Sequence, residues 1–221
     1  MSEDRPYPPF RPFWFGIASS VIRLLFALCT RRFTVEGVEN VPQEGPLIFV
    51  ANHVDYLDSP AIAMALPRQM NILAADTYRT HPIFGPIVWT GGAIWVNREG
   101  ISKEAIKQAL AVLKDGGAIG MSVEGTRSRS GTLGEGKLGA AYLANRGQAM
   151  IQPEVVWGTE LVFPSQKRLS RADFTVRYGE PFALPAGRAR TEELAAHTDQ
   201  IMRALADLLP DAYRGDYVSQ P

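Results

Sequence analysis

Residues 102–125 read S-K-E-A-I-K-Q-A-L-A-V-L-K-D-G-G-A-I-G-M-S-V-E-G and hold one complete helix-to-strand unit. Apolar residues recur at three- and four-residue spacing through Ser102–Lys114, with Ser102 placed to cap the helix and Gly116-Gly117 to stop it. Ala118 to Val123 follows as a short apolar run without polar alternation. A strand buried on both faces reads this way, and such strands belong to parallel sheets covered by helices. A glycine-rich loop then runs to Gly136.

The same alternation extends in both directions. Thr34–Val38 and Leu47–Ala51 read as strands, divided by the turn signal Pro42-Gln43-Glu44-Gly45-Pro46. A helix is expected to start near Asp58, capped by that side chain, with Pro60 in its first turn. Asn71–Ala75 and Ala93–Asn97 read as strands with a short helix at Pro82–Thr90 between them. Lys137–Asn145 reads as a helix with Gly147 past its end. Met150–Val156 and Phe174–Tyr178 complete the strands, Pro153 calling for an edge or a bulge, and Glu192–Leu209 is a closing amphipathic helix. The order predicts an α/β fold whose mostly parallel central sheet is covered by helices.

Composition narrows the class. At 221 residues the chain suits one large domain or a domain with a small appendage. Lys plus Arg and Asp plus Glu balance at 23 each, so no global field points to nucleic acid. Cys29 is the single cysteine, and His53, His81 and His197 lack ligand-like spacing, so no metal site is expected.

The N-terminus differs from the body. Prolines recur through Arg5–Pro12 and prevent regular helix there. Phe13, Trp14, Ile17, Val21, Leu24, Leu25 and Leu28 then mark one apolar face of a helix. The run is too short for an ordinary span and carries Arg23. Aromatic rings gather at its start and Arg31-Arg32 follow its end, a pattern suited to an amphipathic helix lying on a membrane surface. A surface helix packed on the domain carries the same stripe. The expected division is a membrane-associating segment at 1–32, a main α/β domain at 33–210 and a loosely ordered tail at 211–221.

Chemistry concentrates in four segments. Asn52-His53-Val54-Asp55-Tyr56-Leu57-Asp58 lies where a buried strand gives way to a helix, the usual place for ligands in α/β sheets. There a histidine can take a hydroxyl proton, and a carboxylate five residues on can orient it; a capping aspartate beside a packed histidine reads the same. Glu124-Gly125-Thr126-Arg127-Ser128, running on to Gly136-Lys137, offers backbone amides, hydroxyls and cations suited to an anion. Its spacing is not that of a P-loop. Gly92–Arg98 ends a strand in an arginine, and Ile151–Val156 carries the proline.

In this order the segments resemble the glycerolipid acyltransferase family, whose motifs read NHxxxxD, GxIxxxR, FPEGTRS and a final proline-centred apolar strand. The likeness extends from Val35–Pro42 to Val176–Pro181. It departs at Ser122-Val123 in place of Phe-Pro, at Asn97 and Asp55 in place of Asp and Ser, and at Gln152 and Glu154 in place of apolar residues.

The resemblance implies a general base, His53, oriented by Asp58. It implies an acceptor phosphate held by Arg98, Arg127 and Lys137 beside a loop shaped by Glu124, Gly125 and Thr126. It implies acyl-CoA or acyl-carrier protein as donor co-substrate, a lysolipid acceptor with lysophosphatidic acid first, and no metal or other cofactor. The expected location is a membrane lipid surface on its cytoplasmic face. Two alternatives stay open: another lysophospholipid, lyso-aminolipid or glycolipid acceptor, and a catalytically silent lipid-binding module.

Overall fold

The computed structural model describes residues 5–82, 84–97, 102–162, 171–185, 187 and 189–217, the side chain of Cys29 excepted. Among these residues eight strands form one sheet: β1 (Thr30–Glu36), β2 (Leu47–Ala51), β3 (Asn71–Ala75), β4 (Ile94–Val96), β5 (Ala118–Ser122), β6 (Met150–Trp157), β7 (Ala172–Tyr178) and β8 (Phe182–Ala183). Their order is β1-β7-β6-β2-β5-β3-β4, with β8 beside β6. From β6 to β4 every pairing is parallel, whereas β7 runs antiparallel to β6. The expected α/β class with a mostly parallel sheet is the observed one.

The described helices that cover it are α1 (Pro12–Cys29), α2 (Asp58–Ala65), α3 (Phe84–Thr90), α4 (Lys103–Lys114), α5 (Gly139–Gly147) and α6 (Thr191–Leu208). One face of the sheet packs on α4, α5 and α6 through Val50, Ile119, Val155, Leu143 and Leu205. The other packs on α1 and α2 through Phe49, Val156, Tyr178, Ile22 and Phe26. Ser102 caps α4 as expected, accepting the Ala105 amide at 3.2 Å.

Four local expectations are corrected. Asp58 does not cap α2; its side chain turns back toward residues 53–55, for reasons given below. Gly147 is the last residue of α5, and Gln148 at φ +48° ends the helix. A side chain at 147 would meet Leu113 Cδ1 at 2.5 Å, so the glycine serves helix-to-helix packing instead of the turn. Residues 211–217 form two short 3-10 turns that dock on the body, where the Leu133 amide bonds the Tyr213 carbonyl at 2.8 Å.

Pro153 lies in neither an edge strand nor a bulge. It sits in the gap where β6 changes partner, after its pairing with β8 at 150–151 and before its pairing with β7 at 154–157. Proline has no N–H to give there. Gln152 supplies a donor in its place, Nε2 reaching the Gly179 carbonyl at 2.7 Å.

The proline-rich start is a strap across the sheet's other end. Asn71 Nδ2 holds the Pro8 carbonyl at 2.7 Å, and Arg11 stacks 3.6 Å over the Trp89 ring. The strap delivers the chain into α1, which buries Ile22 and Phe26 against the domain. Its stripe faces away: Phe13 is 71% exposed and Leu24 70%. β1 follows α1 directly and pairs with β7 along its length.

Candidate active site

The two described loops that bear the chemistry emerge at the C-terminal ends of parallel strands. β2 leads into residues 52–58, and β5 into the loop beginning at Val123. Asn52 continues the ladder past the end of β2. Its side-chain amide donates to the Val156 carbonyl at 2.8 Å and accepts the Val156 amide at 2.9 Å. That clamp fixes where the next residue, His53, leaves the sheet.

His53 Nδ1 lies 3.0 Å from Asp58 Oδ2, with side-chain exposures of 21% and 1%. The same oxygen accepts the backbone amides of Val54 at 2.6 Å and Asp55 at 2.8 Å. An oxygen receiving two amide donors is an acceptor, so the imidazole carries its proton on Nδ1. Nε2 then holds the lone pair. The five-residue spacing follows from the tight loop: the Leu57 amide donates to the Asp55 side chain at 3.0 Å, and α2 begins at Asp58. Asp58 Oδ1 accepts the hydroxyl of Thr159, a buried residue just beyond β6.

Glu124 ties the two loops together. Its Oε1 accepts the His53 backbone amide at 3.1 Å and its Oε2 the Gly134 amide at 3.0 Å. Burial raises its pKa, and these two amides work against that rise. The carboxyl is thus a buried strap in the structure. Gly125 follows at φ +68°, a left-handed turn that glycine adopts without strain, and Thr126 is exposed at its tip. Ser128 closes the loop, its amide meeting the His53 carbonyl at 2.7 Å.

Arg127 lies over Tyr56, with Cζ 3.4 Å from the ring centroid and Nη2 donating to the hydroxyl at 2.6 Å. The aromatic face therefore fixes the guanidinium beside the histidine loop. Lys137 is exposed, and its Cγ stands 3.6 Å from where a Cβ on Gly125 would lie. The expected cations at 127 and 137 thus sit at one loop, while Arg98 lies outside the described residues. Sequence reasoning missed Tyr56 and Thr159. Tyr56 stood inside the quoted first segment, but nothing in its spacing distinguishes a stacking ring from any other loop aromatic.

The family profile described as Acyltransferase matches residues 32–157, over half of the chain, and spans both loops and the strand carrying Pro153. The chain belongs to the acyltransferase family. It is 27% identical over 151 residues to 1-acyl-sn-glycerol-3-phosphate acyltransferase of Borreliella burgdorferi, covering 67% of this chain and 60% of that protein. It is 28% identical over 183 residues to the beta form of the enzyme from Homo sapiens, covering 79% of this chain and 63% of that one. The Cocos nucifera enzyme is 26% identical over 196 residues, covering 87% and 62%. The matches thus take in about 60% of the length of these curated relatives. Among solved structures, the 1-acyl-sn-glycerophosphate acyltransferase PlsC from Thermotoga maritima superposes with a TM-score of 0.70 at 23% identity, covering 88% of this chain and 79% of that one. That superposition shows a shared fold.

Proposed function

We propose that this chain is an O-acyltransferase that moves a fatty acyl group from an acyl thioester to the free hydroxyl of lysophosphatidic acid. The observation that carries the reading is the His53–Asp58 pair, joined at 3.0 Å beside a loop that bears a fixed guanidinium. His53 Nε2 takes the proton of the acceptor hydroxyl. The oxygen attacks the thioester carbonyl, and the intermediate collapses as the thiolate leaves and takes that proton from the His53 imidazolium. Asp58 holds the ring and offsets the imidazolium charge. Arg127, with Lys137 and Arg98, grips the acceptor phosphate. The donor is acyl-CoA or acyl-carrier protein, and the role assigned to the residues is the same for both.

The test presents purified protein with acyl-CoA or acyl-carrier protein and, in turn, lysophosphatidic acid and other lysolipids, and identifies the product by mass. Phosphatidic acid is the expected product. A preference for an acceptor without a phosphomonoester would transfer the reading to another lysolipid, and no turnover with any acceptor would leave a lipid-binding module. Gln152, one of the departures from the family pattern, spends its Nε2 on the Gly179 carbonyl at the Pro153 gap, a structural use that requires no change of acceptor.

Arg127→Ala is expected to raise the KM for lysophosphatidic acid about tenfold or more, since a charge-assisted contact contributes roughly 1.5–3 kcal/mol. Monoacylglycerol, which lacks the phosphate, is the control. Equal losses on both acceptors would make Arg127 a structural or donor-binding residue.

The acceptor is a membrane lipid, and we assign the outward stripe of α1 to the bilayer surface, on the cytoplasmic side. Among the described residues no helix is long and apolar enough to cross a membrane. α1 packs on α2, the helix that begins with Asp58, and Arg23 ties the two at Met64 with a 2.9 Å bond to its carbonyl. A surface-bound α1 therefore holds the catalytic pair near the lipid. Phe13→Ser, Leu24→Ser and Leu28→Ser together remove roughly 3–6 kcal/mol of interfacial burial. Co-sedimentation with anionic vesicles should fall at least a hundredfold while a soluble short-chain acceptor is still used. Unchanged sedimentation would place the anchor elsewhere.

A further inference from the structure

Asp58 presents two oxygens, and His53 with its neighbouring amides accounts for only one. The other receives a hydroxyl from Thr159, 101 residues along the chain and wholly buried. A buried threonine commonly satisfies its hydroxyl on a carbonyl within its own helix or turn. This one reaches across the end of the sheet to the residue that orients the histidine.

The turn that delivers it is held from several sides. Gly158 stands at φ +88°, and a Cβ there would collide with the Asp173 carbonyl oxygen. No other residue fits that approach. The Gly158 amide donates to Glu160 Oε2 at 3.0 Å, and the Tyr213 hydroxyl donates to Glu160 Oε1 at 2.6 Å. Backbone of β7, a carboxylate and a tyrosine from the docked C-terminal segment thus set where the Thr159 hydroxyl points.

We propose that Thr159 is a positioning residue for acyl transfer, fixing the plane of the Asp58 carboxylate and through it the direction of His53 Nε2. The inference rests on the assignment of proton transfer to His53 and Asp58. A carboxylate turns easily about its last bond, where the torsional wells are broad. Donors on Oδ2 hold one oxygen only; the Thr159 hydroxyl holds the second and stops the rotation.

The experiment measures kcat and KM for both substrates, on the full chain, for Thr159→Val, Thr159→Ser, His53→Ala and the Thr159→Val/His53→Ala pair. Valine keeps the volume and removes the hydroxyl. It is expected to lower kcat about 10- to 100-fold, the effect of losing a hydrogen bond to a charged group. Both KM values should stay within about twofold, serine should restore the rate, and the pair should be no slower than His53→Ala alone. A parental kcat in Thr159→Val, or a serine variant as slow as the valine one, would overturn the role. Should Thr159→Val not fold, serine against alanine makes the same comparison, and equal rates in those two overturn it. A fully active His53→Ala protein defeats the catalytic assignment itself, a result distinguishable from any obtained at position 159.

Discussion

His53→Ala protein is expected to turn over about 10²- to 10⁴-fold more slowly than the parent, the range that general-base catalysis usually supplies. The ring is partly exposed at the mouth of the site, so its removal leaves no large cavity and the melting temperature should move little. Asp58→Asn should slow the reaction as well, with a different signature. Asp58 accepts four donors, from His53, Val54, Asp55 and Thr159. A side-chain amide can accept at one atom only, so its NH₂ end must face donors with donors of its own. Asp58→Asn is therefore expected to lose stability along with activity, whereas His53→Ala loses activity alone. Single-turnover assays with a lysolipid and an acyl thioester, run beside thermal melts, separate the two. Near-parental turnover in His53→Ala would refute the proposed mechanism.

The second large effect concerns stability and comes from Glu154. This carboxyl is 2% exposed in β6, level with Ala51 of β2 and Tyr178 of β7. Its Oε2 has no hydrogen-bond partner among the described residues, and burial pushes its pKa up to about 8. Burial, with Glu154 adding to it, raises the Tyr178 hydroxyl too. In the unfolded chain Glu154 ionises near its ordinary value of 4.5. Below that pH both states hold the proton and the site favours neither. Between 4.5 and about 8 the unfolded chain ionises freely while the folded one does not, so stability falls as pH rises. Above about 8 both are ionised and the loss is complete. At about 1.4 kcal/mol per unit of pH, the difference accumulates to roughly 4–5 kcal/mol.

Glu154→Gln does not titrate. The gap in melting temperature between Glu154→Gln and parent should therefore move in favour of the glutamine variant by roughly 10 °C between about pH 5 and pH 8. Whatever the amide costs in packing is the same at both pH values and cancels in that difference. Parallel melting curves across the range would show that Glu154 is not held neutral.

Much of this was legible before the structure, and the reason is locality. Leu47–Ala51 and Asn71–Ala75 match their strands residue for residue because a short apolar run bounded by turn signals has few other uses. The facing of His53 and Asp58 follows from one tight loop between a strand and a helix, where five residues determine the geometry. What could not be read depends on distant partners. Glu124 was expected in the loop's shape, but the amides it ties are 71 and 10 residues away. Thr159 carries no local mark at all. Pro153 looked like an edge signal because the rule assumes a continuous neighbour, and only the topology reveals the gap between β8 and β7. Gly147 misled for a related reason: a glycine near a helix end signals a cap, unless another helix needs the space.

The outward stripe of α1 also bears on how the protein behaves in water. The helix cannot turn its stripe inward, because Ile22 and Phe26 already occupy the side that seals the core. Phe13, Ile17, Val21, Leu24 and Leu28 then stay in water, a contiguous apolar patch of the kind soluble monomers avoid. Two copies could cover it by laying their first helices side by side, so in plain buffer the protein is expected to self-associate increasingly as its concentration rises. Mild detergent removes that drive by supplying the missing cover.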